Sequence, residues 1–517
     1  LSPSSAASDV YKRQERKCIM ALSYQSTRGG QTGVTASQAV LQGLAADGGL
    51  FMPTEIPALD VSLEKLAGMT YQETAYEVMK LFLTDYTEEE LKSCIAKAYD
   101  SKFDTEEIAP LAKADGAYYL ELYHGSTIAF KDMALSILPH LMTTAAKKNR
   151  EDREIVILTA TSGDTGKAAM AGFADVLGTR IIVFYPKGGV SPVQERQMRT
   201  QKGDNTFVVA IHGNFDDAQT GVKKLFNNKE LARELSDKGF LLSSANSINI
   251  GRLVPQIVYY VYAYARLLAN EEIQGGEEIN IVVPTGNFGN ILAAYFAKKM
   301  GLPIRTLICA SNDNKVLYDF FTTGTYDRRR EFIMTNSPSM DILISSNLER
   351  LIYLSAGCDA AANADLMREL AEEGRYTVTG SMRDFMSDFR GGFATQKENA
   401  KAIRTIFQDT GYLIDTHTGV AAAVYDQYKN DTGDMTKTVI ASTASPFKFA
   451  RSVMEAVKGR DAVEGKDEFA VADALAEEAG IALPEAVEEI RTAPIRHSRE
   501  CAVDEMEKTV KNILRIL

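Results

Sequence analysis

Short runs rich in Val, Ile and Leu recur along the chain, most of them followed by a stretch of helical spacing. They are Glu154–Ala160, Arg180–Tyr185, Thr206–Ile211, Ile279–Val283, Ile304–Ala310 and Thr436–Ala441. A strand that is apolar on both of its faces has to be covered on both, and parallel strands joined by helical crossovers are covered in that way. Helical spacing is expected over Tyr71–Ala98, over Phe130–Lys147, from Lys167, over Ala218–Glu234 and from Ile291. Thr87 followed by Glu90 forms a capping-box signature inside the first of these. The alternation predicts an α/β chain with doubly wound parallel sheets. At 517 residues there is room for more than one domain, and 45% hydrophobic with 24% charged residues is an ordinary globular balance.

A net charge of −12 argues against a nucleic-acid or membrane-surface binder, although local basic clusters could still hold an anionic small molecule. The five cysteines are scattered without a CxxC pair, and the five histidines lack ligand spacing, so no metal is expected and a cytoplasmic setting is. The apolar stretch Gln256–Ala269 is too short to span a bilayer, and no secretory signal is visible. Ser4–Gln14 resembles the in-frame translation of a sequencing adapter. Residues 1–19 are therefore expected to be such an artefact or a disordered tail, with Met20 the start of the protein proper.

Two strand-to-helix turns, Thr161–Gly166 (TSGDTG) and Pro284–Asn290 (PTGNFGN), are rich in Gly with Asn or Thr. Such turns aim backbone N–H groups outward at a helix N-terminus, where phosphate or carboxylate binds, though each alone could equally be a simple left-handed turn. Neither matches a P-loop or a GxGxxG fingerprint. In His124–Asp132 (HGSTIAFKD), Lys131 follows an apolar Ala129–Phe130 pair. A solvated surface lysine is the bland reading, whereas a partly desolvated one has a lowered pKa and becomes a nucleophile toward carbonyls. Such a lysine between a phosphate cradle and a carboxylate cradle suggests pyridoxal 5'-phosphate.

Further motifs are Ser26–Gly29 (STRG), Gly43–Pro53 (GLAADGGLFMP), Asn246–Gln256 (NSINIGRLVPQ) and Ser442–Phe449 (STASPFKF). With the turns above, and in this order, they make the chain from Met20 onward resemble the threonine synthases of the bacterial and fungal long-chain type. These are fold type II pyridoxal-phosphate enzymes. Ser126 departs from the pattern, standing where the family's HGPT has proline.

The resemblance implies two doubly wound parallel-sheet lobes with helical segments at both ends. It divides the chain into an N-terminal segment 20–115, a catalytic core 116–460 and a C-terminal helical segment 461–517, with Pro484 as an N1 residue. It further implies conversion of O-phospho-L-homoserine and water to L-threonine and phosphate by a monomer or homodimer. Lys131 would carry the cofactor and then act as the base. Gly286, Asn287, Phe288, Gly289 and Asn290 would hold the cofactor phosphate through backbone amides, and Thr443 would hydrogen-bond the pyridine nitrogen. Ser162, Gly163, Asp164 and Thr165 would cradle the substrate carboxylate and the cofactor's phenolic edge. Asp164 is the awkward member, because its charge would stand beside a carboxylate. Asn246, Ser247, Asn249 and Arg252 would hold the substrate phosphate, Arg252 through its planar fork. On the residues alone, Arg252 could instead form a helix-surface ion pair and Thr443 a strand-end turn. Alternative functions are another fold type II lyase, such as a threonine dehydratase, or a non-catalytic nucleotide-binding α/β protein. His417, in Asp415–Gly419 (DTHTG), receives no role.

Overall fold

The computed structural model describes residues 22–161, 164–190 and 192–516. The expected artefact segment and the turn residues Ser162 and Gly163 lie outside them.

The apolar runs form two sheets. The smaller is fully parallel, in the order Arg499–Ala502, Thr206–His212, Thr179–Pro186, Glu154–Ala160, Phe240–Ser243. The larger runs Phe389–Phe393, Ile304–Ser311, Ile279–Pro284, Thr438–Ser442, Ala117–Glu121, Leu111–Ala114. Its first five strands are parallel and the last is antiparallel. Every residue of Ile279–Pro284 and Thr438–Ser442 is buried, as strands covered on both faces require. The doubly wound α/β architecture is therefore present in both lobes. Parallel crossovers bring the carboxyl ends of these strands to one side of each sheet, where ligands bind in such folds. The segments after Ala160, Ser243, Pro284, Glu121 and Ser442 all meet there.

Four local features differ from the sequence expectation. The helix expected over Phe130–Lys147 is split into Asp132–Leu135 and Leu138–Lys148, with Pro139 in the first turn of the second piece. Proline lacks the N–H to continue the first helix, and its ring would clash with the carbonyl of Leu135. The 115/116 boundary falls inside a hairpin, Leu111–Ala114 with Ala117–Glu121, turned by Asp115 (φ 46°) and Gly116 (φ 71°). Asp-Gly is favoured in two-residue hairpins because both central residues need positive φ. The C-terminal segment is not purely helical: Arg499–Ala502 pairs with Thr206–His212 at the edge of the small sheet. A four-residue strand of sequence RECA has no local pattern to announce it. Pro484 is the N-cap of helix Glu485–Thr492, one residue before the N1 position.

The N-terminal motifs serve docking. Ser26 Oγ and the Gly30 N–H donate to Asp47, while Thr27 and Arg28 both bind Glu349, Arg28 through two nitrogens at 3.0 and 2.8 Å. Among the described residues no helix is long and apolar enough to cross a membrane.

One close approach sets the position of Lys131 relative to the helix that begins at Asp164. Helix Asp164–Phe173 lies so near the end of helix Asp132–Leu135 that a Cβ on Gly172 would stand 2.1 Å from the Leu135 carbonyl oxygen. Backbone on both sides has to move to admit a methyl group. Gly172→Ala is expected to cost about 1–3 kcal/mol of stability, read as a lowered Tm in a thermal melt.

Candidate active site

Lys131 opens the short helix Asp132–Leu135 at the end of a tightly pinned loop. The Thr127 N–H and hydroxyl donate to Asp132 at 2.8 and 2.6 Å, and Ile128 takes a left-handed φ of 50°. Gly125 is required because a Cβ there would meet the Asp132 carboxylate at 2.7 Å. The loop is stitched to the segment after Thr438–Ser442: Phe130 N donates to the Thr443 carbonyl (2.8 Å) and Ser445 N to that of Ile128 (3.0 Å). Ser126 sits exposed on the outer side of the loop.

The Lys131 side chain is largely buried, with Nζ donating to Ser339 Oγ (3.2 Å) and standing 3.7 Å from Asp164 Oδ2. Burial lowers its pKa; Asp164 opposes this, while the positive charges of Lys448 and Arg252 add to it. This is a desolvated amine.

Asp164 is no longer awkward once its partners are seen. Lys448 Nζ lies 3.3 Å from Oδ1, Gln194 Nε2 donates to the same oxygen (2.9 Å), and Ser339 Oγ donates to Oδ2 (3.0 Å). Burial pushes this carboxyl upward, but the neighbouring lysines, Lys448 foremost, outweigh it and hold it well below the usual carboxylate range. Asp164 is a counter-ion at the head of its helix. Thr165 beside it is half-buried.

The PTGNFGN turn leaves strand Ile279–Pro284 and enters helix Gly289–Lys299. Its carbonyls are held from one side: Ser345 Oγ donates to Gly286 O (2.7 Å), and Asn347 donates to Asn287 O through its backbone N–H (3.1 Å) and its Nδ2 (2.9 Å). Phe288 is left-handed (φ 64°), which turns its ring into the core against Phe321 and Phe389. It can serve a ligand only through its backbone. No side chain caps the following helix, so its first amides stay open, the arrangement that receives phosphate. Gly286 admits a backbone approach that a side chain would block, since a Cβ there would stand 2.6 Å from the Ser339 carbonyl oxygen. The Asn290 side-chain Oδ1 accepts from the hydroxyls of Tyr259 and Tyr260, and its buried Nδ2 has no partner among the described residues.

The Asn246–Gln256 block divides. Asn249 is buried and occupied as the N-cap of the long helix Ile250–Ala269, accepting from Gly251 N and donating to Val40 O. Asn246 is exposed at the rim. Ser247 reaches the cradle, accepting from Asn347 Nδ2 at 3.5 Å. Arg252 is buried: Nη1 donates to Ala245 O (2.9 Å), Nε has no partner, and none of the described carboxylates pairs with it. Burial pushes its pKa down to about 10. A buried guanidinium with an open donor and no carboxylate is suited to receive an anion. That disfavours the surface ion-pair alternative.

Sequence reasoning missed several residues. Lys448 lay inside a recognised motif without a role. Ser339 lies in the turn Pro338–Met340, Asn347 just before helix Leu348–Ser355 and Gln194 on helix Pro192–Arg199, and nothing local marks any of them for the site they reach through folding. Arg350 is fully buried and donates to Phe51 O, Ile248 O and Asn347 Oδ1, fixing the wall between the two cradles. His417 gains a positioning role. Its Nδ1–H donates to Asp415 (2.7 Å), and its Nε2 accepts from the backbone N–H of Ser339 (3.1 Å). Among the described residues no group of three or more His, Cys, Asp or Glu is placed to hold a metal ion.

A desolvated lysine flanked by two open anion cradles on a parallel α/β scaffold defines an enzyme that works through pyridoxal phosphate. The cradle at Gly286–Asn290 and the unpartnered Asn290 amide fit the phosphate of that cofactor. Matching family models are Threonine synthase N terminus over residues 23–99 and Pyridoxal-phosphate dependent enzyme over residues 104–382. The chain is 40% identical over 435 residues to Threonine synthase-like 1 of Homo sapiens, covering 82% of itself but 58% of that protein. It is 35% identical over 467 residues to threonine synthase of Saccharomyces cerevisiae, covering 84% and 89% of the two chains. The crystal structure of PLP-bound threonine synthase from Brucella melitensis superposes with a TM-score of 0.84 at 35% identity, covering 96% of this chain and 100% of that one. The chain belongs to the threonine synthase family, as its motifs led us to expect.

The loop leading to Lys131 carries a pH-sensitive anchor. His124 binds Asp104 (2.5 Å) and Glu121 (3.0 Å); burial lowers its pKa, but the two carboxylates outweigh this and raise it to about 9. A group raised in the folded state stabilises fully below its unfolded value and loses that contribution as pH rises through the folded one. Stability from His124 is expected to be complete below about pH 6.5 and to fade toward pH 9. His124→Gln should flatten that slope in denaturant titrations across the range.

Proposed function

We propose that the chain converts O-phospho-L-homoserine and water into L-threonine and phosphate. The observation that supports this reading is Arg252, buried with its Nε open and no carboxylate among the described residues to pair with, which suits a second anion site. A dehydratase acting on an unphosphorylated amino acid has no need of it.

Pyridoxal phosphate, when bound, supplies the electron sink that makes protons on substrate carbon acidic. Gly286–Asn290 would hold its phosphate through open amides, and Thr443, buried at the end of its strand, would face the ring nitrogen with a neutral hydroxyl. Lys131 would take the proton from Cα and move protons at Cβ and Cγ, a role that the lowering of its pKa by burial favours. Ser339 receives a hydrogen bond from Lys131 and passes one to Asp164, which fixes the amine's direction. Arg252, with Ser247, would bind the substrate phosphate and stabilise it as it leaves. Ser162, Gly163 and Thr165 would take the substrate carboxylate, and Asn246 at the rim would close over the phosphate. Asn249 would act indirectly, by capping the helix that carries Arg252. We place the enzyme in the cytoplasm as a monomer or homodimer. Cys94, Cys309, Cys358 and Cys501 are free thiols, which supports a reducing compartment.

The test is product release from O-phospho-L-homoserine by the chain loaded with pyridoxal phosphate. Equal amounts of phosphate and threonine are expected; phosphate without threonine would instead identify a lyase that stops after elimination. Lys131→Ala should abolish turnover with the fold intact by circular dichroism. Arg252→Ala should raise KM about 10- to 100-fold, from loss of about 1.5–3 kcal/mol of charge-assisted hydrogen bonding, with a smaller effect on kcat.

A further inference from the structure

Two amines and one carboxylate share a site closed to water. The Lys448 side chain is completely inaccessible and that of Lys131 is 11% exposed, while Asp164 lies between them at 7%. One carboxylate can neutralise one ammonium, and a second unpaired buried ammonium is costly, so the proton deficit must fall on one of the lysines. Geometry decides which. Lys448 Nζ is 3.3 Å from Asp164 Oδ1 and also donates to the Thr127 carbonyl at 2.8 Å. Lys131 Nζ is 3.7 Å from Oδ2, outside hydrogen-bond range, and has the Ser339 hydroxyl as its acceptor. A carboxylate and a carbonyl stabilise an ammonium better than one neutral hydroxyl does.

We infer that Lys448 is a positioning residue that holds the proton and keeps Asp164 ionised, leaving Lys131 as the amine that goes without. Asp164 then accepts from Ser339 and Gln194 whatever the state of Lys131, and the amine keeps its direction throughout the cycle. The inference rests on Lys131 being the residue that captures the cofactor.

The other charged groups around the pair act consistently. Arg252, from the long helix, adds positive charge on the Lys131 side. Asp132, next to Lys131 on its own helix, is held by Thr127 and interacts with both Lys448 and Lys167. Lys167, further along the Asp164 helix, donates to Gln201 and repels Lys448. His417 lies on the Asp164 side, held by Asp415. Among the described residues Asp164 is the carboxylate that contacts both amines.

The test is competitive acetylation of the full-length chain across pH, reading the Lys131 midpoint against those of the exposed lysines by peptide mass spectrometry; no cofactor is needed. In the unaltered chain, Lys131 should lose its proton at lower pH than the exposed lysines do, and a midpoint no lower than theirs overturns the inference. Lys448→Met should raise the Lys131 midpoint by about one pH unit or more, because Asp164 then has a single amine to pair with. Lys448→Gln, which keeps a donor toward Thr127, should do the same, while Lys448→Arg should leave the midpoint in place. A role in packing alone predicts no shift with Met, and an unmoved midpoint in a folded neutral variant overturns the inference. Capture of pyridoxal phosphate, trapped with borohydride, is measured in parallel on Lys131→Ala. Capture that survives there would refute the site itself, a result distinct from an unmoved midpoint in a chain that captures normally at Lys131.

Discussion

The carboxylate of Asp164 is the point on which the site is built. It is buried, it is held ionised chiefly by Lys448, and it accepts from Gln194 and Ser339. Its partners come from four separate segments: the loop before Asp132, the helix after Thr179–Pro186, the turn at Ser337–Met340 and the segment after Thr438–Ser442. A buried charge of this kind is tolerable only when its hydrogen bonds and its counter-charge are complete. Removing one partner leaves the others uncompensated, so these segments are energetically tied to one another.

The positive charge in the same region has a matching logic. Among the described residues Arg252 is buried without a carboxylate to pair with, and the Asn290 amide has nothing to donate to. A fold that carried such groups without a use would lose stability for nothing. Anions bound there would compensate them, dividing the cost of forming the site between folding and binding. Arg350, by contrast, spends its donors on Phe51, Ile248 and Asn347, and belongs to the scaffold that spaces the two cradles.

Much of the lobe architecture could be read from periodicity. Strands such as Ile279–Pro284 are apolar on both faces because helices cover both, and that requirement is written into every residue of the strand. Short edge elements such as Arg499–Ala502 could not be read, because an edge strand is defined by its neighbour's open hydrogen bonds. The split of the helix after Lys131 was signalled by Pro139, and the hairpin at Asp115–Gly116 by its dipeptide; both are local rules that had been passed over. Within the site, Lys131 and the two glycine turns stood out by residue type. Ser339, Gln194 and Asn347 did not, since a lone polar residue in a turn or on a helix carries no local sign of a partner far along the chain.

The sequence by itself determined the chemistry available: one lysine after an apolar pair, two amide-rich turns, an arginine block and alternating strands and helices. These follow from backbone and side-chain types within a few residues of each other. Tertiary structure alone decided the electrostatics. Asp164 changed from an awkward negative charge into the shared partner of two lysines, and Asn249 from a ligand contact into a helix cap. Arg252 became a buried cation with no carboxylate. Burial and charge proximity depend on distances between segments hundreds of residues apart, and no local pattern encodes those distances.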